Sequence, residues 1–99
     1  MAGESKKDDL IVEIANDLSS YTKIEKRILR SLPEEKAISA YKLASDLLVL
    51  PSVIRDNIDL LEKKGLIDKI VLSGSKLDIE VQISPKGKLA QKILRSVYP

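Results

Sequence analysis

Leu10, Ile11, Ile14, Ala15 and Leu18 recur at i, i+3, i+4 and i+7 intervals, which predicts an amphipathic helix running to about Leu18. Ser5 stands where a cap is needed, and Asp8 and Asp9 in the first turn suit the positive end of the helix dipole. Residues 1–5 read as a disordered start. Ser19 and Ser20 interrupt the pattern. Thr22 then precedes Glu25 by three residues, the spacing of a capping box. A second helix follows over about Thr22–Leu32, with Ile24, Ile28, Leu29 and Leu32 inward. Pro33 ends it, because the residue before a proline avoids helical angles, and Pro33–Ala37 forms a charged turn.

Ser39 caps a third helix, about Ala40–Val49, whose inner face is Leu43, Ala44, Leu47 and Leu48. Leu50-Pro51 makes a turn, and Pro51 fits the first position of the next helix, where its missing N–H costs nothing. That helix runs to about Lys64, with Gly65 as a left-handed C-cap. Ile54, Ile58 and Leu61 centre its buried face, with Val53, Asn57 and Leu60 on a flank. Ser52, Arg55, Asp59 and Lys63 point outward, and Asp56 and Glu62 lie near the edges. The period then changes to two. Leu66–Leu72 is a strand and Ser73-Gly74-Ser75-Lys76 a turn. Leu77, Ile79, Val81 and Ile83 then alternate with Asp78, Glu80 and Gln82. Ser84-Pro85 restarts a helix that turns Leu89, Ile93, Leu94 and Val97 inward.

This order of elements is an α+β, mainly α fold: a winged helix-turn-helix, with a three-helix core, a two-stranded β-hairpin wing and additional N- and C-terminal helices. Residues 1–21 form a tail and helix available for dimerisation, and residues 22–99 the winged-helix domain with its C-terminal helix.

Composition narrows the chemistry. The chain has 99 residues, enough for one core, and its only aromatics are Tyr21, Tyr41 and Tyr98, so that core must be Leu, Ile and Val. There is no Cys and no His, which removes disulfides, thiol nucleophiles, the usual zinc ligands and the commonest general base. No Gly-rich phosphate loop has the required spacing, and Glu34-Glu35 sits in a turn with no sign of a pocket around it. The expectation is a non-enzyme with no cofactor and no metal. No apolar run of about 18 residues is present, and the N-terminus lacks a signal-peptide core, so a cytoplasmic protein without a membrane partner is expected. Net charge is +2, from 17 basic and 15 acidic residues, so function depends on where the charge sits.

Four segments carry a resemblance: Lys23–Leu32 (KIEKRILRSL), Lys42–Leu47 (KLASDL), Leu60–Lys69 (LLEKKGLIDK) and Ile83–Gly87 (ISPKG). In order and spacing they resemble winged-helix regulators of the MarR type, over roughly residues 22–95. The resemblance implies double-stranded DNA binding by a homodimer, probing the major groove with a recognition helix at about 51–64. A wing at about 66–84 would lie along the backbone or minor groove. The family's frequent Thr-Arg pair in the recognition helix is here Arg55-Asp56, its wing Asp-x-Arg falls on Ser75, Lys76 and Leu77, and its Ser cap is Leu50.

Each candidate contact has a physical basis and a plainer alternative. Arg55 can pair bidentately with guanine, or with Asp59 at i+4. Ser52, in the first turn, offers a hydroxyl and neighbouring N–H groups to a phosphate, or simply supports the helix start. Lys63 and Lys64 reach phosphates or complement the helix C-terminus. At the wing, Ser75 and Lys76 allow close approach and supply charge, with Lys69 behind them. Tyr41 and Lys42 open the helix that crosses the backbone in such folds. Residues 52–64 balance Arg55, Lys63 and Lys64 against Asp56, Asp59 and Glu62. That neutrality supports the rival class, a winged helix that binds a protein partner as an accessory subunit of a replication, transcription or other assembly. The modest net charge of +2 argues against a chromatin-like DNA coater. Leu10, Ile14, Leu18, Ile93 and Val97 are the candidate dimerisation residues, unless they complete the core of one chain.

Overall fold

The structure is a computed structural model that describes the backbone of residues 2–72 and 79–97 and the side chains of 9–72 and 79–96. Its helices are α1 (Ala2–Leu18), α2 (Lys23–Ser31), α3 (Ala40–Leu47), α4 (Pro51–Lys63) and α5 (Pro85–Val97). Its strands are β1 (Ile38–Ser39), β2 (Ile67–Val71) and β3 (Ile79–Ile83), in an antiparallel sheet of order β1-β3-β2. The fold is α+β and mainly helical, as expected.

Two departures have simple causes. α1 starts at Ala2, so Ser5 lies inside it and residues 2–5 are not a disordered start. Ala2, Glu4, Lys6 and Lys7 are good helix formers, and propensity carries the helix upstream of its first packed residue. The sheet has three strands rather than two because Ile38 pairs with Val81 and Ser39 with Glu80. Two residues are too few to show alternation in sequence. Ser39 doubles as the N-cap of α3, its Oγ accepting from the Tyr41 and Lys42 N–H groups at 3.1 and 3.4 Å.

The capping box of α2 is complete. Thr22 Oγ1 accepts from the Glu25 N–H and the Thr22 N–H donates to Glu25 Oε1, both at 3.0 Å. Glu25 is only 1% exposed, and its other carboxylate oxygen receives the Lys64 ammonium. That ammonium also lies 4.2 Å from the centre of the Tyr21 ring, a cation–π distance. The Thr22 hydroxyl donates to Asn57 Oδ1 at 2.7 Å, and Asn57 Nδ2 donates to the Val53 carbonyl at 2.8 Å. The corner between α1 and α2 is thus fastened to α4 at two points. Lys64 is part of this clamp and is not a solvated helix end.

The core is aliphatic. Ile28, Leu29, Leu43, Ile54, Ile58, Leu61, Leu66, Val81 and Leu94 are all essentially inaccessible. On the sheet, Ile67, Lys69 and Val71 stand opposite Ile83, Val81 and Ile79 on the inner face, which leaves Asp68, Ile70 and Glu80 on the outer one. Gln91 is wholly buried and donates to the Leu29 and Leu32 carbonyls at 2.7 and 2.8 Å, satisfying the C-terminal end of α2.

Gly65 ends α4 at φ +76°, the left-handed cap that its identity predicts. α3 ends at Leu47 rather than Val49, because Leu48 adopts φ 56° and ψ 46°. The Leu48 side chain is 92% exposed and not on the inner face. α5 starts under Ser84, whose Oγ accepts from the Gly87 N–H at 3.0 Å and donates to the Gly65 carbonyl at 2.6 Å. Among the described residues no helix is long and apolar enough to cross a membrane.

Two stability measurements check this packing. A Cβ on Gly87 would sit 1.9 Å from the Leu66 carbonyl oxygen and 2.7 Å from Ile83 Cγ1. Gly87→Ala therefore forces α5 off the sheet and lowers stability by about 1–3 kcal/mol in urea unfolding. Lys64→Ala leaves the Glu25 carboxylate buried without its cation. Because Lys64 is itself a third exposed, the cost falls to about 2 kcal/mol, below the ~3–5 kcal/mol of a fully buried pair. Lys63→Ala, next to it but solvated, changes stability by less than about 0.5 kcal/mol.

Candidate nucleic-acid interface

α4 is 13 residues long, or about 20 Å. Pro51 opens it without a side-chain cap, since the preceding residue is Leu50. Ile54, Ile58 and Leu61 fix the buried side, and the opposite side is the one that a groove would meet. Ser52, Asp59 and Lys63 fall on one flank of the helix, with Arg55 at its margin. Ser52 and Lys63 are exposed, as expected.

Arg55 differs from its outward assignment. Its side chain is half-buried, its Nε is enclosed without a hydrogen-bond partner, and a terminal nitrogen stands 4.0 Å from Asp56. Its i+4 neighbour Asp59 is not its partner. Asp59 instead accepts from Lys69 Nζ at 2.8 Å, and Glu62 stands 3.5 Å from the same ammonium. Lys69 therefore bridges from β2 to two carboxylates of α4. The hydrogen bond to Asp59 holds its pKa above the ordinary lysine range, with added attraction from Glu62. Its charge is committed inside the molecule, and it sets the angle between wing and helix.

Lys42 pairs with Asp46 at 3.3 Å, one turn along α3, with both side chains largely in solvent. Tyr41 is exposed and lines an open cleft with Leu48, Leu50 and Pro51. Ser75 and Lys76 lie outside the described residues. Of the dimerisation candidates, Ile14 and Leu18 are 1% and 5% exposed within one chain, because α1 packs against its own α5. They already belong to the core of one chain. Leu10 is exposed and Ile93 half-buried, while the Val97 side chain is outside the described set. Val12, which falls outside the periodic apolar pattern of α1, is exposed.

The geometry brings Ser52, Arg55 and Lys63 to one surface and adds the α3 start, but its charge is not positive. α4 carries Arg55 and Lys63 against Asp56, Asp59 and Glu62. The outer sheet face shows Asp68 and Glu80 beside Ile70.

No family model matches the sequence, and no curated protein sequence matches it. Solved structures do match. YusO from Bacillus subtilis is 20% identical, with a TM-score of 0.69 over 96% of this chain and 67% of its own. A point mutant of MepR from S. aureus is 16% identical, with a TM-score of 0.68 over 99% of this chain and 72% of its own. These two establish the winged-helix fold. The transcriptional regulator BldR from Sulfolobus solfataricus is 30% identical, with a TM-score of 0.63 over 97% of this chain and 73% of its own. This chain spans about half to three-quarters of the length of the structures it matches, with 51% for Lactococcus lactis ZitR. BldR and PA3341, a further match, are both transcriptional regulators. At 30% identity across nearly the whole chain the likeness extends beyond architecture, and the chain belongs to the MarR family of winged-helix transcriptional regulators.

Proposed function

We propose that this chain binds double-stranded DNA through α4 and the hairpin wing, and regulates transcription in the cytoplasm as a homodimer. The observation that carries the reading is a surface helix of groove-filling length. It is clamped from behind by Thr22, Glu25 and the core and from the side by Lys69. A major groove about 12 Å wide admits such a helix.

In this reading Ser52 and the first-turn N–H groups of α4 meet a phosphate. Among the described residues Arg55 is held only by a long contact to Asp56, so its guanidinium can extend to the N7 and O6 of guanine and satisfy its enclosed Nε outside the protein. Lys63 reaches the backbone at the far end of the helix. Lys42, in a solvent-exposed pair worth little, can exchange Asp46 for a phosphate, with Tyr41 beside it. Ser75 and Lys76 complete the contact at the hairpin tip. Lys69 acts by positioning. Two copies would pair through α1, with Val12 on its outer side and Leu10 at the edge of its packed side, and through Ile93 of α5, and so space their α4 helices about one DNA turn apart.

A second reading has its own observation. Leu48, Leu50 and Tyr41 form an exposed apolar group around the turn between α3 and α4. That group suits a protein partner.

Fluorescence anisotropy on random-sequence duplex DNA across a salt series separates the two. DNA binding requires affinity that falls steeply with salt, with Lys63→Ala lowering the log–log slope by about 0.9. Arg55→Ala should weaken binding to a preferred sequence more than to a random one. Absence of binding at low salt sinks the DNA reading in favour of the protein partner. For the dimer, light scattering should return twice the 11.0 kDa chain mass, and Val12→Glu, on an exposed position that leaves the core intact, should return the mass of one chain.

A further inference from the structure

The strongest concentration of positive charge in the described structure lies away from α4. α2 carries Lys23, Lys26, Arg27 and Arg30, and its one acid, Glu25, is buried on the other side against Lys64. At 100° per residue the four cations fall within an arc of about 100°, opposite the buried Glu25, Ile28 and Leu29. With Leu94 as floor they line a groove of about 250 Å³ where α2 meets α5. α5 contains no acidic residue, but of its cations Lys88 pairs with Glu35 at 3.5 Å and Lys86 donates to the Lys64 carbonyl at 3.3 Å, which leaves Arg95 as the one that meets the α2 row.

Several of these charges are uncompensated. Among the described residues Lys23, Arg27 and Arg30 make no ion pair. Arg27 donates to the Leu47 carbonyl at 2.6 Å, which orients its guanidinium and leaves its charge in place. Arg95 donates to the Arg30 carbonyl at 3.0 Å, bringing a further guanidinium to the end of the row, although Glu34 stands 3.5 Å from it.

We infer that this groove is a second surface for the phosphate backbone of duplex DNA, separate from α4 and the wing. From Lys23 to Arg30 the row spans about 10 Å, the axial rise of about three phosphates on one strand. Arginine forks match phosphate oxygens bidentately. Among the described residues no aromatic side chain lines the groove, so none of them offers the stacking platform by which proteins hold single strands. The proposed partners are phosphate oxygens, which carry no base identity, so the contact is independent of sequence. A molecule that places α4 on one duplex has this second face left for another duplex segment. The surface stands whether or not α4 enters a groove.

The test uses the full chain and a random-sequence duplex in anisotropy titrations across a salt series. Lys23→Ala/Arg30→Ala, at two exposed positions, should lower the log–log salt slope by about 1.8, from two lost phosphate contacts. Lys23→Arg/Arg30→Lys should restore it. Arg55→Ala/Lys63→Ala runs in parallel. A slope that falls only in the α4 variant overturns the inference and leaves the DNA reading of α4 standing. A slope that falls only in the α2 variant does the reverse. A glutamate-rich peptide is titrated in the same way. If the α2 variant loses that peptide while holding duplex as before, the groove serves an acidic protein and the inference falls.

Discussion

One buried carboxylate sets the geometry of this molecule. Glu25 has almost no access to water, so each of its oxygens must find a donor inside the fold. One takes the Thr22 N–H and the other the Lys64 ammonium. Both partners are available only when α2 starts at Thr22 and α4 ends beside it. An ion pair in such a place adds little net stability over apolar packing, but it is satisfied in only one arrangement. The Thr22–Asn57 hydrogen bond repeats the constraint further back along α4. The aliphatic core supplies the bulk of the burial, and these polar ties select the angle at which α4 is presented.

The elements are largely legible in the chain because each has its own signal. Thr22 and Glu25 announce a capping box, Pro51 and Gly65 bracket α4, and Ile79, Val81 and Ile83 alternate cleanly. What escapes such a reading is long-range or short. Nothing local in the chain says that Lys64 folds back on a residue 39 positions earlier, that Gln91 is buried beneath α2, or that Ile38 and Ser39 add a strand. Leu48 resembles a core residue because helical spacing continues through it, yet the left-handed turn there rotates it outward. At the candidate site, helical phase alone places Ser52 and Lys63 correctly. It fails for Arg55, which is half-buried beside Asp56, and it says nothing of Lys69, a strand residue that reaches Asp59 and Glu62 on α4. The net neutrality of α4 is readable in the sequence. The groove that the α2 cations line is not, since it emerges only when α2 and α5 lie side by side.

The arrangement separates shape from charge. The helix with the right exposure and support carries more acidic than basic side chains, while the richest row of cations lies on a helix usually regarded as scaffold. Three carboxylates on α4 limit how strongly it can adhere to any phosphate backbone, which favours discrimination over indiscriminate grip.

Ser39 ends β1 and caps α3, so strand and helix share a residue with no linker between them. This leaves no slack in chain length. One residue added at that junction would either shift Ile38 out of register with Val81 or draw the hydroxyl away from the first turn of α3. The sheet that carries the wing and the helix that precedes α4 must therefore move as one body. Any tilt of the hairpin is felt at α3, and the molecule tolerates changes of length elsewhere in its loops better than at this seam.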